Sequence, residues 1–133
     1  MDAYLSQEAL QSMKAQAFGT GRRTMSGFLV GHKRGQRFFV ENAHPSSGDD
    51  FLSPGRYRTL DRLFEGKIIG FYSSSSSAKV LARFFQPTFY GKLVLLAGSG
   101  PGIWLSLRPH VVEFEKSFFL LPITLCSPPK GKK

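Results

Sequence analysis

The chain has 133 residues, with 18 Lys and Arg against 9 Asp and Glu, and a single cysteine, Cys126. That length suits one domain with room for a real core, and one cysteine excludes an internal disulfide or a multi-cysteine zinc site. Apolar runs are too short to span a bilayer as a helix, and the opening residues lack the basic start and apolar stretch of a secretory signal, so the expectation is a soluble cytoplasmic protein. The formal charge of +9 suits acidic partners, nucleic acid included, or simply a soluble basic surface.

The opening segment reads as a helix. Ser6 is placed to cap it, Leu10, Met13 and Ala17 share one face, and Gly19 and Gly21 stop it. A hairpin follows, with strands at residues 25–31 and 36–43 and a turn through His32, Lys33 and Arg34. Residues 45–55 are rich in turn formers and read as a loop. A short strand is predicted at 56–60, a helical turn at 61–65 and a strand at 67–72, where β-branched and aromatic residues dominate.

Five serines occupy positions 73–77. Residues 78–85 fit a short helix with Val80, Leu81, Phe84 and Phe85 on its apolar side, ended by Pro87. Strands are predicted at 93–97 and 103–107. A further strand at 111–114 is expected to form a hairpin with the second of these across Arg108, Pro109 and His110, and residues 118–121 extend that edge. Ile69, Phe71, Leu93, Val94, Leu95, Trp104, Phe28 and Val40 are the expected core. The pattern predicts an α+β fold, an α–β–α sandwich around one mixed, partly barrel-like sheet. It forms a single domain over residues 1–122, and residues 123–133 read as a disordered basic tail.

The most informative stretch is Ile68-Ile69-Gly70-Phe71-Tyr72 running into the serines. With the capped helix, the strand Met25-Ser26-Gly27-Phe28-Leu29-Val30-Gly31, the loop opening Asn42-Ala43-His44-Pro45 and the segment Tyr57-Arg58-Thr59-Leu60, it resembles the MPN/JAMM family of zinc-dependent isopeptidases. The likeness extends over roughly residues 6–122, and the motifs come in the family's order. It implies the family's cytidine deaminase-like architecture. In that family a strand of this type leads into His-Ser-His-Pro, a Ser-x-x-Asp follows, and an upstream Glu lies three residues before a Gly. Two His and the Asp hold Zn²⁺ and leave a position for water. The metal acidifies that water, the Glu takes its proton, and a serine stabilises the oxyanion.

On this alignment the two histidine positions fall on Ser73 and Ser75, Ser74 keeps the family's serine, and the Glu position falls on Thr24. A serine hydroxyl is a poor zinc ligand, and a threonine is no base near neutral pH. The aspartate position lies around Phe85 or Gln86, yet no Asp follows Asp61 and no acid lies between Lys67 and Val112. Exchanging two histidines for serine would not account for the missing Glu and Asp, so natural loss is the simpler account. The resemblance therefore implies a pseudoenzyme with neither a metal nor another cofactor. As a protein-interaction or assembly module its partners are ubiquitin-like or MPN-type proteins. The alternatives are a basic nucleic-acid-binding module and, last, a residual metal-dependent hydrolase.

Other groups carry less. His32, His44 and His110 fall in or beside predicted turns and read as solvated side chains. Glu41, inside a predicted strand, could stand in for Thr24 as a base but has no metal water to act on. The serine run lacks the glycines and triad partners of a nucleophile elbow. Residues 98–102 are glycine-rich without a P-loop's Lys-Ser/Thr and read as a turn between strands. Arg22 and Arg23 stand at one end of the first hairpin strand and Lys33, Arg34 and Arg37 at the other, so they do not make one patch. Arg56, Arg58 and Arg62 form a further group. Thirteen phenylalanines exceed what one sheet face would bury, which implies that both faces are covered or that an apolar patch serves as a contact.

Overall fold

The Ser6 hydroxyl accepts the Ala9 N–H at 3.0 Å and donates to the Glu41 carbonyl at 2.6 Å. One residue thus starts helix α1 (Gln7–Thr20) and ties it to the strand that carries Glu41. The computed structural model describes residues 1–20, 25–46, 53–75, 77–99 and 105–126. Thr24, Arg22, Arg23, Trp104, the turn at 100–102 and the tail from 127 lie outside them. Ala9 and Met13 of α1 are buried and Leu10 is half-buried. The side chain of Ala17 lies outside the described set. The helix runs through Gly19 to Thr20 rather than stopping before it.

In chain order the other elements are strands β1 (Asp2–Leu5), β2 (Ser26–Arg34), β3 (Arg37–Ser46), β4 (Ile68–Ser73), β5 (Leu93–Ser99), β6 (Leu105–Phe114), β7 (Phe118–Pro122) and β8 (Thr124–Cys126). Helices α2 (Pro54–Leu63) and α3 (Ala78–Ala82) and a 3₁₀ turn (Pro87–Phe89) complete the described structure. The strands form one eight-stranded sheet in the order β7-β6-β5-β4-β2-β3-β1-β8. A single residue, Ile123, separates β7 at one end of that order from β8 at the other. The sheet is therefore curled into a nearly closed barrel, and the fold is α+β.

Both sheet faces are apolar, which accounts for the abundance of phenylalanine. On one face Phe38, Val40, Ile69, Tyr72, Leu93 and Leu95 pack with Ala9 and Met13 of α1. On the other, Phe28, Ile68, Phe71, Val94 and Val112 pack with Tyr57 of α2 and with Phe84 and Phe89. All the described residues of the expected core are buried.

Several predicted elements differ. The β2–β3 turn is not His32-Lys33-Arg34; those residues are strand, and the two-residue turn is Gly35-Gln36, with Arg34 opposite Arg37. Gly35 takes φ +60° at the first central position, where a tight hairpin wants glycine. The predicted strand at 56–60 is helix α2. The Ser53 hydroxyl caps it by accepting the Arg56 N–H, Pro54 opens it, and Tyr57, Leu60 and Phe64 repeat at helical spacing toward the core.

The predicted hairpin across Pro109 is one continuous strand, β6. Pro109 lies opposite Leu95 of β5 and its carbonyl accepts the Ile123 N–H at 3.1 Å. Its ring nitrogen therefore faces the point where β7 gives way to β8, and no bond to β5 is lost. The true hairpin is β6–β7, with Phe114 opposite Phe118. Residues 124–126, expected in the tail, form β8 beside β1, with Asp2 opposite Thr124 and Tyr4 opposite Cys126. Among the described residues no helix is long and apolar enough to cross a membrane.

Candidate functional site

Strands β2 and β4 run antiparallel, with Ser26 opposite Ser73, Gly27 opposite Tyr72 and Phe28 opposite Phe71. This register brings the start of β2 to the serine run. The Ser74 N–H donates to the Met25 carbonyl at 2.9 Å, and the Met25 N–H donates to the Ser74 hydroxyl at 2.9 Å. Ser74 is thus held by both backbone groups of the residue that follows Thr24.

Ser73 is 3% exposed and forms a buried end to β4. Its hydroxyl accepts the Ser75 N–H at 3.0 Å and lies 3.2 Å from the Ser75 carbonyl, to which it donates. The Ser75 hydroxyl reaches that of Ser77 at 3.4 Å, and Ser77 caps α3 by accepting the Val80 N–H. The run is therefore a hydrogen-bonded connection between strand and helix. The hydroxyls of Ser73, Ser75 and Ser77 have local partners, which stabilise the turn.

The remaining candidates are dispersed. Phe85 is half-buried, and the Gln86 amide donates to the Arg83 carbonyl at 2.8 Å. Glu41 lies at the bulge between Val30 and Gly31 of β2, roughly 15 Å along that strand from the Ser26–Ser73 pair at about 3.3 Å per residue. It meets His32 at 3.0 Å on the exposed surface.

All three histidines lie on strands rather than turns. His32 stacks on Phe39, and His44 stacks on Phe28 and leans on Phe64. His110 has Nδ1 3.1 Å from the Arg108 carbonyl. Burial lowers its pKa and outweighs that bond. Among the described residues, no three His, Cys, Asp or Glu side chains gather closely enough to hold a metal ion.

One polar group beneath this end of the sheet escaped the sequence reading. The Tyr72 hydroxyl donates to Gln16 Oε1 at 2.6 Å, and Gln16 Nε2 donates to the Ser26 carbonyl at 3.2 Å. Burial raises the Tyr72 pKa above the usual phenol range, so the ring stays a donor. A Cβ on Gly27 would stand 2.6 Å from the Tyr72 hydroxyl oxygen and collide with the His44 carbonyl, so the glycine makes room for the ring. The signal was the alternation of β4, which sends Phe71 and Tyr72 to opposite faces.

No protein-family model matches this sequence, and no curated protein matches it. The fold is similar to the solution structure of protein DSY2949 from Desulfitobacterium hafniense, with a TM-score of 0.73 and 13% identity, covering 96% of this chain and 94% of that one. At this identity the likeness establishes the architecture alone.

Proposed function

We propose that the chain is a degenerate, metal-free MPN/JAMM-like domain that works as a protein-interaction or assembly module toward ubiquitin-like or MPN-type partners. The observation that supports this reading is the state of Ser73 and Ser75. Where the family places its histidine ligands, this chain has two hydroxyls engaged in the turn between β4 and α3. The motif order, from the capped helix through β2 to the β4 strand, supports the same ancestry. So does the α+β architecture, with helices against both faces of a curled mixed sheet.

The test pairs metal analysis with a cleavage assay. The purified protein is expected to carry far less than one zinc per chain. It is also expected to leave a ubiquitin-like isopeptide substrate intact with zinc added, while a titration with the ubiquitin-like protein alone shifts its NMR signals. Stoichiometric zinc at a site including Ser73 or Ser75, or chelator-sensitive cleavage, would overturn the inactive assignment.

A second reading, binding of nucleic acid, is favoured by α2. That helix exposes Arg56, Arg58 and Arg62, and no ion pair among the described residues engages them. If these three contact phosphates, the slope of log affinity against log salt should fall by about 0.9 for each arginine replaced by Gln in duplex binding. A gel shift insensitive to all three substitutions would dismiss this reading.

A further inference from the structure

We propose that β7 is the surface through which two copies of this chain pair, edge to edge and antiparallel. It goes beyond the functional reading above and rests on separate observations, so either can fail without the other.

Among the described strands β7 ends the sheet and pairs only with β6. The direction of its main-chain groups follows from the register. Ile123 bonds to Pro109, so by alternation Leu121 and Phe119 direct their N–H and C=O groups toward β6. Phe118, Leu120 and Pro122 direct theirs outward. That edge matches itself. With Leu120 opposite Leu120 of the second copy, each leucine N–H meets the other's carbonyl, and each Phe118 N–H meets a Pro122 carbonyl. The proline's missing donor falls where its N–H would have met the Phe118 carbonyl, so about four main-chain bonds form.

The side chains support this register. Phe119 and Leu121 are 37% and 36% exposed. They flank the central leucine, so each Phe119 faces Leu121 of the second copy as a close, non-hydrogen-bonded pair. Sliding the pairing by one step would oppose Leu121 with Ser117 and lose that contact. Beside them Phe114 is 53% exposed and packs edge-on against Phe118 with ring centroids 4.9 Å apart.

Charge permits a second copy as the occupant, which the self-matching register favours. Over residues 105–126, Arg108 and Lys116 balance Glu113 and Glu115, so this segment is neutral on a chain of net charge +9. Two strongly basic copies repel through most of their surface and meet without direct repulsion here. The strand is five residues long, so the dimer belongs to the weak, concentration-dependent class.

Sedimentation velocity of the full chain over a wide concentration range is expected to show reversible dimers. The variant Phe119→Lys/Leu121→Lys places like charges opposite one another and should weaken the dimer about tenfold or more. Phe119→Glu/Leu121→Lys places each carboxylate opposite an ammonium group of the second copy and should retain it. Both sites are exposed, and unchanged circular dichroism melts will show that both variants fold. A monomer at every concentration, or equal weakening by the two variants, overturns the proposal. So does an unrelated extended peptide that occupies β7 while the chain itself stays monomeric.

Discussion

Phe71→Ala is expected to destabilise the protein by about 3–5 kcal/mol. Phe71 is 1% exposed at the centre of β4, opposite Phe28, and among the described residues its ring meets those of Phe89, Tyr57 and Phe84. Phe89 stands edge-on at 5.1 Å, Tyr57 edge-on at 5.8 Å and Phe84 tilted at 5.8 Å. Truncation removes the transfer energy of the ring and leaves a cavity that α2 and the 3₁₀ turn cannot fill without losing their own contacts. Edge-to-face pairs add a further amount, about 0.5–1.5 kcal/mol each beyond area burial. For a domain of this size the loss corresponds to a fall in Tm of roughly 10–20 °C. Phe71→Leu keeps most of the volume and should cost less than half as much. Phe119→Ala, on the exposed side of β7, should stay within about 0.5 kcal/mol at concentrations where the protein is monomeric. Thermal melts followed by circular dichroism check all three, and an unchanged Tm for Phe71→Ala would refute the two-sided core.

That core was legible because it is written locally. Ile68-Ile69-Gly70-Phe71-Tyr72 is β-branched and aromatic throughout, so strand is the best local answer and the tertiary answer as well. Ser6 and the α1 face were equally plain. Residues 56–60 misled because Tyr57 and Thr59 alternate with arginines as a half-buried strand would. The decisive signals lay outside that window, in the Ser53 cap, Pro54 and the apolar spacing that continues to Phe64. Pro109 misled for another reason. A proline usually breaks a strand, and only the ending of β7 opposite it makes the position harmless. Strands β1 and β8 have four and three residues, too short to show a period, and they are held by pairing, β1 with β3 and β8 with β1.

The candidate site was legible in identity but not in environment. The residue types at positions 73–75 can be read directly from the sequence. The burial of Ser73, and the turn its hydroxyl closes, depend on its pairing with Ser26, which the sequence does not display. The hydrogen bond from Tyr72 to Gln16 spans 56 positions and was invisible for the same reason.

Replacing both Ser73 and Ser75 with histidine is expected to yield no isopeptidase turnover, even with zinc added. Two imidazoles supply two of the three protein ligands that a catalytic zinc site usually requires beside its water. The chain carries no acid between Lys67 and Val112, and Glu41, on β3, lies far from Ser73 and is engaged with His32. Thr24 leaves any bound water without a base. The structure adds a cost that falls unevenly on the pair. Ser73 is buried and its hydroxyl holds the Ser75 N–H. An imidazole there must displace packed neighbours, at about 1–3 kcal/mol, and the turn loses a hydrogen bond worth about 0.5–1.5 kcal/mol net. Ser75 is only half-buried, and Ser75→His alone should be nearly neutral. The single and double variants should therefore separate in thermal melts while all remain inactive against a ubiquitin-like fusion. Zinc-dependent cleavage by the double variant would be decisive the other way. An acid from elsewhere in the chain would then already reach the metal position, and the site would be dormant, needing only its two imidazoles to work.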